Sequence, residues 1–147
     1  MIRGRRIAFD FGDSRIGVAV SDPDSILATP VMTVATKSAD LWDQIFLLLS
    51  EYEPVEIFVG KPIHLSGKDS ATTSRAVFFA REIQERFNIK VTLIDERLST
   101  VSAQRKLKEA GLSSRDSKSA IDQASAVGIL EQALEISKAR YKGETDE

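Results

Sequence analysis

Between Arg6 and Val20 the apolar residues alternate with small or polar ones, and the alternation changes side once. Ile7, Phe9 and Phe11 share one face of an extended segment and Ala8 and Asp10 the other. After Gly12-Asp13-Ser14, Ile16, Val18 and Val20 alternate with Gly17 and Ala19. The pattern predicts a hairpin with one bulky and one small face, turning at the Gly-Asp-Ser step. A second turn at Ser21-Asp22-Pro23-Asp24 leads to a third strand from Ile26 to Val34, which Pro30 restricts to an edge or bulged position.

The period then lengthens. Leu41, Ile45, Leu48 and Leu49 recur at helical spacing, with Ser38 as the expected N-cap and Pro54 marking the end. Val55 to Val59 is a short strand closed by Gly60, followed by a loop through Gly67. A second helix spans about Ser70 to Phe87 with Val77, Ala80 and Ile83 inward, and Lys90 to Ile94 is the next strand. Thr100 is placed to cap a third helix ending at Gly111, and Ser119 a fourth running through Ile121, Val127, Leu130 and Leu134. Trp42, Phe46, Phe78 and Phe79 fall within helices, where packing in the core is the default expectation. The order of elements predicts an α/β architecture: a mixed sheet of five strands flanked by helices, antiparallel in the first hairpin and parallel in the second half. Residues 1–140 form one domain, and Tyr141 to Glu147 reads as an acidic tail.

Composition narrows the chemistry. With no cysteine and a single histidine, His64, thiolate and His-based zinc sites are excluded, so any metal site must be built from oxygens. The net charge of −2 excludes binding to a polyanion by bulk charge. A local exception runs from Arg97 to Lys118, where six cationic residues stand against two acidic ones for a net +4. The apolar run after the basic N-terminus is broken at Asp10, so neither a signal peptide nor a membrane span is expected, and a cytoplasmic protein is the default.

Asp10 is a carboxylate inside an apolar strand, where charge needs a partner or a cation. Asp95 and Glu96 stand at a strand exit, where α/β sheets commonly carry their chemistry. Asp122 follows Ser119 by three residues, so taken alone it is better accounted for as an acid complementing a helix N-terminus than as a ligand. Three such acids meeting at one sheet edge would suit Mg²⁺ or Mn²⁺, with hydrolysis of a nucleic-acid backbone as the reaction. Arg15 and Arg97 are candidates for contact with the scissile phosphate, Arg15 having an ion pair with Asp13 or Asp22 as its alternative; Lys106 and Lys118 are candidates for backbone contact.

Five strings carry a family resemblance: Asp10-Phe11-Gly12; Arg15-Ile16-Gly17-Val18-Ala19-Val20-Ser21-Asp22; Val59-Gly60-Lys61-Pro62; Asp95-Glu96-Arg97-Leu98-Ser99-Thr100; and Ile121-Asp122-Gln123-Ala124-Ser125-Ala126. In this order, across nearly the whole chain, they resemble the YqgF family, described as nucleases of precursor 16S ribosomal RNA and formerly as Holliday-junction-resolvase-like. The resemblance implies a ribonuclease H-like fold, with Asp10, Glu96 and Asp122 matching the family's proposed catalytic and metal-binding triad. It implies a metal-dependent endonuclease that trims the 5′ end of precursor 16S RNA in ribosome biogenesis; a monomer or weak dimer is expected. The alternatives are a nuclease for branched DNA and a non-catalytic nucleic-acid or ribosome-binding module.

Overall fold

A computed structural model describes residues 1–62, 70–96 and 115–145. Five strands, β1 (Arg6–Phe11), β2 (Arg15–Ser21), β3 (Ala28–Ala35), β4 (Glu56–Lys61) and β5 (Val91–Asp95), form one sheet in the order β3-β2-β1-β4-β5. β1 lies at its centre, antiparallel to β2 and parallel to β4, while β2 and β3 pair antiparallel and β4 and β5 parallel. β3 is an edge strand, and its register slips opposite Val18 and Ala19 where Pro30 enters, as a residue without an amide hydrogen requires.

The two faces of the hairpin divide the protein into layers. The bulky face of Ile7, Phe9, Phe11, Ile16, Val18 and Val20 packs against α1 (Leu41–Tyr52) and α2 (Ala71–Phe87) through Leu41, Ile45, Leu48, Ala76, Phe79, Ala80 and Ile83. Phe79 meets Phe9 edge-on at 5.5 Å between ring centroids, and Trp42 stacks on Phe79 at 5.7 Å. The small face, with Ala8 and Ala19 beside Phe58 and Ile94, packs against α3 (Arg115–Thr145) through Ala126, Ile129, Leu130, Ala133 and Leu134. Among the described residues no helix is long and apolar enough to cross a membrane.

Several expected details change. Phe46 and Phe78 are 56% and 62% exposed, and Val77 is only half-buried. Each helix fills its inward stripe with other residues, and about 100° of rotation per residue carries these neighbours off it. The N-cap of α1 is Asp40, whose carboxylate accepts hydrogen bonds from the Ser38 hydroxyl and the Gln44 amide and so makes no side-chain cap. Ser70 does cap α2, forming a reciprocal capping box with Thr73. α3 is already helical at Arg115, upstream of the expected start at Ser119, and extends 31 residues, about 46 Å, to Thr145. Ser119 is therefore inside the helix, and most of the expected tail is helical, because no proline interrupts this run of good helix formers. The expected helix from Thr100 to Gly111 lies outside the described residues.

At the sheet end opposite Asp10, Arg6 is buried. Its Nε donates to Glu56 Oε1 at 3.3 Å, Nη1 to Ser25 Oγ at 2.9 Å and to the Gly4 carbonyl at 3.2 Å, and Nη2 to the Ile2 carbonyl at 2.8 Å. One guanidinium thus joins β1, β4, the turn at Ser25 and the N-terminal segment, and losing it would leave Glu56 buried with reduced compensation. We expect Arg6→Ala to cost about 3–5 kcal/mol in urea denaturation and the paired replacement Arg6→Met with Glu56→Leu to cost less. A loss under about 1 kcal/mol for Arg6→Ala would show that the remaining contacts hold this end.

Candidate active site

Asp10 is the penultimate residue of β1, on the small face and 1% exposed. Its neighbours in register are glycines, Gly17 on β2 and Gly60 on β4. Registered neighbours project from the same face of a sheet about 5 Å apart, so Asp10 stands between two positions that carry no side chain. Both are covered by acids. A Cβ on Gly60 would lie 2.6 Å from Glu96 Oε1 and 2.5 Å from Ile129 Cδ1, so the carboxylate of Glu96, just past β5, occupies the space above Gly60. A Cβ on Gly17 would overlap the carbonyl group of Asp122 and lie 3.1 Å from its Cβ, so the backbone of α3 itself rests on β2 there. Three acids distant in sequence therefore come to one end of the small face.

Asp122 is fully buried in the second turn of α3, not in its first, and the expectation that it serves a helix N-terminus does not hold. Its Oδ2 accepts a hydrogen bond from Arg15 Nε at 2.5 Å. Neither short-range partner expected for Arg15 is used. Asp13 receives Arg75 and Thr72 from α2, and Asp22 receives the backbone amides of Asp24, Ile26 and Leu27. Near Asp122, α3 is tied to β3 by the Thr33 hydroxyl, which donates to the Ser119 carbonyl at 3.2 Å. Lys118 is exposed one turn before Asp122 on α3. Arg97, Lys106 and His64 lie outside the described residues.

The donor chemistry fits a hard divalent cation: carboxylate oxygens from three acids, two of them deeply buried, at the end of a sheet that two glycines leave bare of side chains. The acids are not drawn into a closed cage, since among the described residues no group of three or more His, Asp or Glu has metal-ligand geometry.

A family model described as "RuvX: Holliday junction resolvase" matches residues 4–136. The chain belongs to this family. A relative of this RuvX protein from Mycolicibacterium smegmatis is 49% identical over 142 residues, covering 93% of this chain and 84% of the relative. One from Streptomyces coelicolor is 45% identical over 137 residues, covering 92% and 82%. Both carry the name "Putative pre-16S rRNA nuclease". Among solved structures, Thermus thermophilus RuvC in complex with a Holliday junction substrate superposes with a TM-score of 0.58 at 12% identity, over 92% of this chain and 96% of that one. A second Thermus thermophilus RuvC structure gives 0.54 at 12% identity. The fold is therefore the expected ribonuclease H-like one, and as a RuvX family member the chain is a nuclease.

Sequence reasoning missed two features of the RuvX chain. Gly17 reads as a residue of a packed hairpin, whereas here it is where α3 touches the sheet. The Asp13 turn beside the acids is held to α2: Arg75 donates from Nε at 2.6 Å and Nη2 at 3.0 Å, and Thr72 from Oγ1 at 2.6 Å. Arg75 first, then Thr72, hold the Asp13 carboxyl down to about 2 from its ordinary 3.8. The pair therefore supports folding above about pH 4 and loses that contribution as pH falls toward 2; being largely exposed, it is screened by solvent. Arg75→Gln should return the Asp13 titration toward 3.8 in an NMR pH series, and an unchanged midpoint would discount the pair.

The glycines make a sharper prediction. Gly17→Ala sets a methyl group against backbone, which cannot move without displacing α3, so a loss near the upper end of overpacking costs, about 3 kcal/mol, is expected together with loss of nuclease activity. Gly60→Ala meets only the ends of Glu96 and Ile129, so it should cost about 1 kcal/mol. Equal melting temperatures for the two variants would contradict the close approach of α3 to β2.

Proposed function

We propose that this RuvX chain is a divalent-cation-dependent endonuclease acting on precursor 16S ribosomal RNA at Asp10, Glu96 and Asp122. The observation that carries the reading is that Asp10 stands in register between two glycines, one beneath the Glu96 carboxylate and the other against the backbone of Asp122. Asp10, Glu96 and Asp122 are the residues that would hold Mg²⁺ or Mn²⁺. Such cations, when bound, neutralise charge on the scissile phosphate and lower the pKa of the attacking water.

The protein's own residues do the rest. Burial of Asp10 and Asp122 keeps their oxygens in fixed positions and shields them from competing water. Arg15 offers its Nη atoms toward substrate phosphate, and Lys118, with Arg97 and Lys106, supplies positive charge along the RNA backbone. The RNA assignment rests on relatives 44–49% identical over most of the chain, all named for pre-16S rRNA. A second reading, junction DNA, is favoured by the description of the family model.

Incubating the protein with precursor 16S RNA and with a synthetic four-way junction, with and without Mg²⁺, separates the two readings. Cleavage of RNA alone is expected, and product from the junction alone would reverse the substrate assignment. Asp10→Asn and Asp122→Asn should each lower cleavage at least about 100-fold while retaining the circular dichroism spectrum. Asp122→Asn should also melt a few degrees lower, since the buried acid has Arg15 as a counter-charge. Full activity in either variant at saturating Mg²⁺ would remove that acid from the mechanism.

A further inference from the structure

Arg15 leaves β2 with only about a third of its side chain exposed, and its Nε lies 2.5 Å from Oδ2 of the buried Asp122. Its two Nη groups make no hydrogen bond or ion pair among the described residues. A guanidinium has five donors in a planar fork, so one edge is engaged by an acid of the site and the rest remains available to an anion. The same side chain therefore touches one of the proposed cation ligands and keeps unused donors for an anion.

Resting on the proposed acid site, we infer that Arg15 is a built-in counter-cation that couples cation binding to substrate binding. In the absence of substrate its charge partly neutralises Asp122 and so would weaken that carboxylate's hold on a divalent cation, in surroundings where charges are poorly screened. An arriving phosphate takes up the unused donors and offsets that charge, so Asp122 recovers its attraction for the cation. Because binding free energies are reciprocal, the cation strengthens substrate binding by the same factor, and for couplings of this kind the factor is about 5–150-fold. The enzyme would thus load its cation with its substrate, not before it. The ion pair spans 107 residues of sequence and joins the hairpin to α3, so the coupling acts across the packed interface of the two.

The test measures Mn²⁺ affinity directly, by electron paramagnetic resonance or calorimetry, for the wild type, Arg15→Gln, Arg15→Lys and Asp10→Asn, each with and without a non-cleavable 2′-O-methyl RNA oligonucleotide. The wild type should bind Mn²⁺ at least fivefold more tightly with the oligonucleotide than without it. Arg15→Gln should bind Mn²⁺ at least fivefold more tightly than wild type in the absence of RNA and show little further gain with it. Arg15→Lys keeps the positive charge and should retain the weak RNA-free affinity of the wild type, a result that a purely structural strut would not produce. Melting curves establish that each variant is folded; if Arg15→Gln does not fold, the wild-type gain with RNA and its size in Arg15→Lys decide. Equal Mn²⁺ affinity in wild type and Arg15→Gln, or no gain with RNA in the wild type, overturns the coupling while leaving the acid site standing. Mn²⁺ binding that is unchanged in Asp10→Asn, or absent from every protein, overturns the acid site and the coupling with it.

Discussion

The backbone of α3 at Asp122 lies directly against Gly17 of β2, and the acidic end of the sheet depends on that contact. A side chain at position 17 would hold the helix away from the strand, and Asp122 would then lose its place beside Asp10 and its ion pair with Arg15. Gly60 does the same on the other flank of Asp10, leaving room for the Glu96 carboxylate where any larger residue would displace it. The charged groups are positioned by what the sheet lacks at two places, and the surrounding apolar packing keeps them there.

That packing is divided unevenly between the two faces. Phenylalanine, isoleucine and valine on the bulky face, with the Phe9, Phe79 and Trp42 ring contacts, form a thick core beneath α1 and α2. The opposite face carries alanine and glycine near its centre, and α3 comes correspondingly close, burying Ala126, Ile129, Leu130, Ala133 and Leu134. Burial of large apolar side chains on one side supplies stability at roughly 25 cal/mol per Å², while the close approach on the other brings helix-borne polar groups to the strand ends. The division gives the sheet one thickly packed face and one face that a single helix approaches closely.

Electrostatics follows the same geometry. Two arginines are held against acids of the small face at opposite ends of the sheet, Arg6 with Glu56 and Arg15 with Asp122. Arg6 is saturated with partners and acts as a fastener. Arg15 is half-buried and uses one edge of its guanidinium, which leaves it chemically available. The same residue type in similar strand positions thus differs in role through how many of its donors are already engaged.

The order of the five strands and of the described helices, the two-faced hairpin, the edge position of the Pro30 strand and the restriction to oxygen ligands were all legible in the chain. Each follows from a local rule: the two-residue repeat of a strand, the 3.6-residue repeat of a helix, the missing amide hydrogen of proline, the absence of cysteine. Asp10 and Glu96 were likewise recognisable as acids at strand ends, and all three acids in family strings, though not the two glycines that Asp10 stands between. The partner of Arg15 was not legible, because Asp13 and Asp22 are close along the chain while Asp122 is 107 residues away and arrives only when α3 docks. The outward turn of Phe46 and Phe78, the early start and late end of α3, and the role of Gly17 were decided in the same way. Periodicity states which residues share a face, but which face is covered, how closely and by which distant group is set by the packing of one layer on another.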